Sequence, residues 1–132
     1  VSDRVLWLIG SWECQSFANW PERQVYGYED NRIVLRNLLH SPVGNFTIVQ
    51  RFRFDFTSHR WATYVDGGDF SAHGPPWTGD RWILGGVWRG ISGSARLVYL
   101  ALGDNVFRRD FQVFKAGRWL TSSGDTCVRG QP

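Results

Sequence analysis

Residues 46–56 constrain this chain more than any other segment. Phe46, Ile48, Gln50, Phe52, Phe54 and Phe56 alternate with Thr47, Val49, Arg51, Arg53 and Asp55. A period of two over this length places one nearly continuous apolar face on a β-strand. A strand buried on one side only belongs to an antiparallel sheet. Gln50 is the single polar residue on that apolar face.

The rest of the chain is punctuated in the same style. Extended candidates are 10–17, 25–28, 60–66, 81–90, 95–102, 106–114 and 118–128. Segment 31–40 fits either a strand or a helix. Turn residues recur at Ser41-Pro42, Thr57-Ser58-His59, Ser92-Gly93-Ser94, Gly103-Asp104-Asn105 and Ala116-Gly117. This spacing of about 8–12 residues is that of an all-β sandwich or barrel. Residues 1–9 read as a turn of helix or a lead-in. Residues 67–80 read as a Gly/Pro loop carrying Phe70, His73 and Trp77, able to act as a lid over a barrel mouth. With 132 residues, 42% of them hydrophobic, the chain is a single domain (1–132) with enough apolar surface for a core. The expected fold is an antiparallel up-and-down β-barrel of about eight to ten strands, since closure removes exposed edges.

Charge and cysteines narrow the function classes. The net charge is +3, from fourteen Arg and one Lys against twelve acids. The Arg residues are scattered, with Arg51/Arg53 and Arg108/Arg109 the densest spots, so no nucleic-acid partner is expected. No apolar run approaches the ~18 residues of a membrane-spanning helix, and no membrane span is expected. The chain has no Met, which reads as a processed or trimmed form. Cys14 and Cys127 form either a disulfide or two buried thiols. Barrel closure brings the first and last strands together, so a bridge there is open to them if the register allows. A disulfide would imply a secreted or periplasmic protein, and free thiols a cytoplasmic one.

Gly10-Ser11-Trp12 resembles the Gly-x-Trp motif of the lipocalin-like (calycin) barrels. The stretch Leu8-Ile9-Gly10-Ser11-Trp12-Glu13-Cys14 carries the likeness. So do Phe54-Asp55-Phe56 with Arg60-Trp61, and the ending Gly117-Arg118-Trp119 with Asp125-Thr126-Cys127-Val128-Arg129. Together they are similar to small bacterial lipocalin-like proteins of unassigned function. The resemblance implies a structural pair in which Arg129 packs over Trp12 at one end of the barrel. The chain departs from secreted lipocalins in lacking a clear C-terminal helix, and from fatty-acid-binding proteins in lacking a two-helix lid.

The expected function is binding of a small hydrophobic molecule, with an anionic or polar end, inside the barrel. Candidate ligand-binding residues are Gln50, Phe52, Phe54, Trp88, Tyr99 and Arg109. Asn37 shares parity with Ile33, Leu35 and Leu39 and is a second inward polar group. An inward Gln50 bonds a neighbouring strand or a ligand. An inward Arg109 needs an internal acid or an anionic ligand. The aromatics either line a pocket or simply fill the core. A small cofactor-free cyclase or isomerase using the same cavity is one alternative. A solid-core interaction module, with a homodimer as one form, is another. No cofactor and no metal are expected. His40, His59 and His73 lack metal-ligand spacing, and no nucleophile elbow, P-loop or dinucleotide motif occurs. No catalytic residue is assigned.

Overall fold

The computed structural model describes residues 4–16 and 18–130. Phe17, placed above in the first strand, lies outside the described residues. A short 3₁₀ helix (Arg4–Leu8) precedes ten strands: β1 (Gly10–Ser16), β2 (Pro21–Glu29), β3 (Arg32–Ser41), β4 (Gly44–Asp55), β5 (Arg60–Val65), β6 (Phe70–Gly74), β7 (Arg81–Trp88), β8 (Ala95–Gly103), β9 (Val106–Lys115) and β10 (Arg118–Arg129). Each strand pairs antiparallel with the next, and β1 also pairs with β10, closing the barrel. The ambiguous segment 31–40 is strand β3, because its β-branched and apolar residues find partners on β2 and β4.

The turn chemistry explains the up-and-down order. Glu29 pairs with Arg32 across Asp30-Asn31, whose φ angles are 50° and 62°. Positive φ at both central residues matches the twist of a two-residue hairpin, and Asp and Asn tolerate it better than most side chains. Ala116-Gly117 makes the same kind of turn between β9 and β10, with φ of 52° and 78°.

The strands define a base and a mouth. At the base, the 3₁₀ helix buries Val5 and Leu8, and the Arg4 backbone N–H donates to the Trp77 carbonyl at 2.9 Å. Gly10 sits at φ 128°, and a Cβ there would lie 3.4 Å from an Arg129 guanidinium nitrogen. Glycine thus serves the motif by taking a backbone angle other residues avoid. Arg129 lies 4.0 Å over the Trp12 ring and donates to the Ile9 and Trp7 carbonyls at 3.2 and 3.0 Å. Such a cation–π contact contributes about 0.5–2 kcal/mol. Cys14 and Cys127 face each other in the β1–β10 register and are joined as a disulfide, with Cα atoms 4.1 Å apart.

Two local features correct the sequence reading. Residues 67–80 are not a lid. Phe70–Gly74 pair with β5 and β7 as strand β6. Trp77 is fully buried at the base, its ring stacked 5.7 Å from Trp82. Burial of a large indole outweighs the Gly/Pro character of the segment around it. In β10, the register shifts between Thr121 and Ser123. This bulge turns Trp119 and Thr121 outward, while Ser123, Asp125, Cys127 and Arg129 belong to the inner row.

Candidate functional site

The inner row of β4 runs from mouth to base as Phe46, Ile48, Gln50, Phe52 and Phe54, and its environment changes sharply along the way. β5 joins β4 only from Gln50, opposite Val65. The β3–β4 hairpin therefore overhangs the mouth, leaving Phe46 49% and Ile48 42% exposed. Below Gln50 the barrel is solid. Phe52 packs against Trp82 and Tyr99 with centroids 5.7 and 6.3 Å away. Phe107 packs on Trp12 at 4.6 Å. Phe54 lies at the base, beside Phe56 and Trp61.

A layer of buried polar side chains caps this solid half. Arg109, on β9, is 4% exposed. Its Nε donates to the Tyr99 hydroxyl at 3.0 Å, and its Nη2 donates to Gln50 Oε1. Its Nη1 lies 3.5 Å from Asp125 Oδ2. Gln50 Nε2 donates to Thr63 Oγ1 at 2.8 Å. Gln24 Nε2 donates to Asp125 Oδ2 at 3.2 Å. The Tyr26 hydroxyl donates to Gln24 Oε1 at 2.7 Å and lies 2.8 Å from the Tyr99 hydroxyl. A phenol has one proton. With Tyr26's given to Gln24, the proton between the two hydroxyls is Tyr99's.

The electrostatics follow from burial. Desolvation pushes the Tyr26 and Tyr99 hydroxyls above their ordinary range. Burial also works against the charged Arg109, but Tyr99, Tyr26 and Asp125 around it outweigh that, and the guanidinium stays charged. Glu22, on β2, is 5% exposed. Its carboxyl is pushed up from 4.5 to about 8, first by burial and then by Asp125. The Asn37 amide and the Arg109 charge act in the opposite direction. Glu22 is therefore mostly protonated at neutral pH, beside an acid that neutralises Arg109.

Above this floor the mouth half is hollow. A cavity of 310 Å³ has Leu35, Val65, Phe70, Trp88 and Phe111 on its walls, with Gln50 and Arg109 below. Phe70, Trp88 and Phe111 form an aromatic triad with centroids 5.2–6.0 Å apart. A second chamber of 440 Å³ adjoins it at Asn37, Ile48, Arg109, Phe111 and Ser123, and reaches Glu22, Asp125, Leu39 and Trp20. A larger depression, 660 Å³, crosses the β1–β10 seam. It is bounded mostly by the outward-facing Glu13, Gln15, Arg108, Thr126 and Val128, a groove of the outer wall that reaches Asp125 at the edge of the buried polar layer.

Of the sequence candidates, Gln50, Trp88 and Arg109 border the cavity, and Tyr99 contributes its hydroxyl to the layer below. Phe52 and Phe54 do not border it, because packing against Trp82 and Trp61 commits them to the closed half. Phe70 is at the mouth, but as part of a strand wall. His73 lies on the outer face, 3.2 Å from an Arg60 guanidinium nitrogen. The inward Arg109 meets an internal acid, Asp125. The extended segment 25–28 of the sequence reading stops short of Glu22 and Gln24, which share the inner row with Tyr26 on β2. An alternation counted from Pro21 would have found them. Among the described residues, no group of three or more His, Cys, Asp or Glu side chains is placed to hold a metal ion. Compared with models of known protein families and with curated proteins, the sequence matches none.

Proposed function

We propose that this protein binds a small, mostly apolar molecule in the mouth half of the barrel, with the molecule's polar end on the buried layer around Arg109. The observation that carries this reading is a 310 Å³ space walled by Phe70, Trp88 and Phe111 and floored by Gln50 and Arg109. An apolar cavity with a few convergent polar groups is the usual form of a small-molecule site. Kinship with the lipocalin-like barrels belongs to the same proposal, and is supported by the Gly10, Trp12 and Arg129 arrangement at the base. The Cys14–Cys127 disulfide supports an oxidising compartment, periplasmic or extracellular. Native mass spectrometry of protein purified from its own host tests the binding. A retained small molecule is expected, and Trp88→Ala should release it. Absence of any bound molecule, together with no uptake of apolar dyes such as Nile red, would overturn the proposal.

A second reading is favoured by Glu22. A carboxylic acid held protonated near pH 7 beside a carboxylate can give and accept a proton. The same cavity then belongs to a cofactor-free cyclase or isomerase. Glu22→Gln would abolish turnover of the retained compound while leaving its binding intact; equal turnover in both proteins excludes this role.

A further inference from the structure

The charge on the cavity floor can be counted from contacts alone. Arg109 carries one positive charge, and Asp125, 3.5 Å away and almost fully buried with it, carries one negative charge. The remaining ionisable carboxyl at the floor, Glu22, contributes zero or one further negative charge. In neither state is the floor net positive. Arg109 is also committed geometrically: its three nitrogens face Tyr99, Gln50 and Asp125 on three different strands. A guanidinium that recognises a carboxylate presents a fork of donors to it; here each of the three nitrogens already faces a group of the protein, which leaves at most one N–H on each terminal nitrogen for a ligand.

Other groups at the floor ask for a different partner. Asn37 borders both chambers. Its amide acts on Glu22, whereas its Oδ1 is buried without a hydrogen-bond partner. A buried acceptor left unpaired costs free energy, which a ligand donor would recover. Ser123 stands on the same border, with a hydroxyl that both gives and accepts.

Resting on the binding proposed above, we infer that the polar end of the ligand is an uncharged donor–acceptor group, of the alcohol or phenol class, and not a carboxylate. A hydroxyl can donate to Asn37 Oδ1 and accept in return without disturbing the Arg109–Asp125 pair. An anion adds charge to a neutral or negative floor. An ammonium group meets Arg109, whose counter-charge is already claimed. Rejection of this kind arises from repulsion and unpaired groups as much as from attraction.

The test is a matched series of n-octanol, octanoate, n-octylammonium and n-octane, titrated calorimetrically into the intact disulfide-bonded protein near neutral pH. Octanol is expected to bind at least about tenfold tighter than either ion, and tighter than octane. Octanoate or octylammonium binding as well as octanol overturns the inference while leaving a hydrophobic site in place. Octane binding as well as octanol also overturns it, since the polar floor then plays no part. Failure of all four to bind overturns both this inference and the binding proposal. In Asp125→Asn the Arg109 charge loses its counter-ion, and octanoate should gain about tenfold relative to octanol. An unchanged ratio overturns the role given to Asp125. The wild-type ranking decides the question even if that variant does not fold.

Discussion

The base and mouth of this barrel are made from the same ten strands and the same residue types, yet one is solid and the other hollow. At the base, Trp12, Trp77, Trp82 and Phe107 interlock, and the Arg4–Leu8 helix closes the end. At the mouth, Phe70, Trp88 and Phe111 stand around a space. The difference does not lie in aromatic content. It comes from what each ring meets across the barrel. The base receives extra chain, a helix and the 75–80 segment, which insert Leu8 and Trp77. Among the described residues no helix is inserted at the mouth, and unequal strand lengths leave the β3–β4 hairpin overhanging it. Between them, the Arg109 layer forms a boundary that neither half could do without. It satisfies polar groups above an apolar core, and it gives the cavity a floor. Stability and the proposed binding thus fall to different storeys of one sheet.

Substitutions in the two halves should separate those roles. The largest effect is expected for Trp77→Ala at the base. It opens a void under Trp82 and should cost about 3–5 kcal/mol in urea unfolding, with ligand binding retained in whatever protein folds. Reduction of the Cys14–Cys127 bridge, whose cysteines are 113 residues apart, should cost about 2–5 kcal/mol. It ties the seam beside the polar layer, so a calorimetric scan should show the whole barrel melting earlier, as one transition. Independent melting of the mouth would break the picture of a single cooperative wall. At the mouth, Trp88→Ala removes a half-buried ring beside empty space. It should cost only about 1–2 kcal/mol of stability, yet weaken apolar ligand binding at least about tenfold. A larger stability loss than Trp77→Ala would invert the comparison.

Apart from these substitutions, the layer between the two halves should give a pH dependence. Glu22 has its pKa raised from 4.5 to about 8 in the folded state. The folded protein then holds a proton that the unfolded chain releases. The stabilisation is complete below the unfolded value and is lost as pH rises through about 8. The groups facing Glu22 are Asp125 from β10, Arg109 from β9 and Asn37 from β3. The carboxyls of Glu29, Asp55 and Asp66 are held low, by Arg36, by turn N–H groups and by Arg51 respectively. Their contribution is lost only in acid, outside this window. Urea midpoints between about pH 5 and pH 9 should fall, and Glu22→Gln should flatten the slope. An equal slope in both proteins would place the titrating group elsewhere.

Much of the wall was legible in the chain, because alternation and turn chemistry are local. Residues 46–56 declare a one-sided strand. Ala116-Gly117 declares a tight turn, and the inward parity of Gln50 and Arg109 follows from counting by two. The site was legible only in part. Phe52 and Trp88 look alike in sequence, but packing at the base takes the former and an absent neighbour frees the latter. The bulge near Ser123 puts Asp125 on the inner row beside Arg109, while Trp119, of the same parity, faces out. Trp77 sits in a segment with every mark of a mobile lid, and burial made it the plug of the opposite end. The sequence by itself determined an antiparallel barrel with polar groups on its inner face, since period and turn type depend on nearest neighbours along the chain. Which end is filled, which acid meets Arg109 and whether a space remains were decided by tertiary structure, because volume and charge balance depend on residues brought together from separate strands.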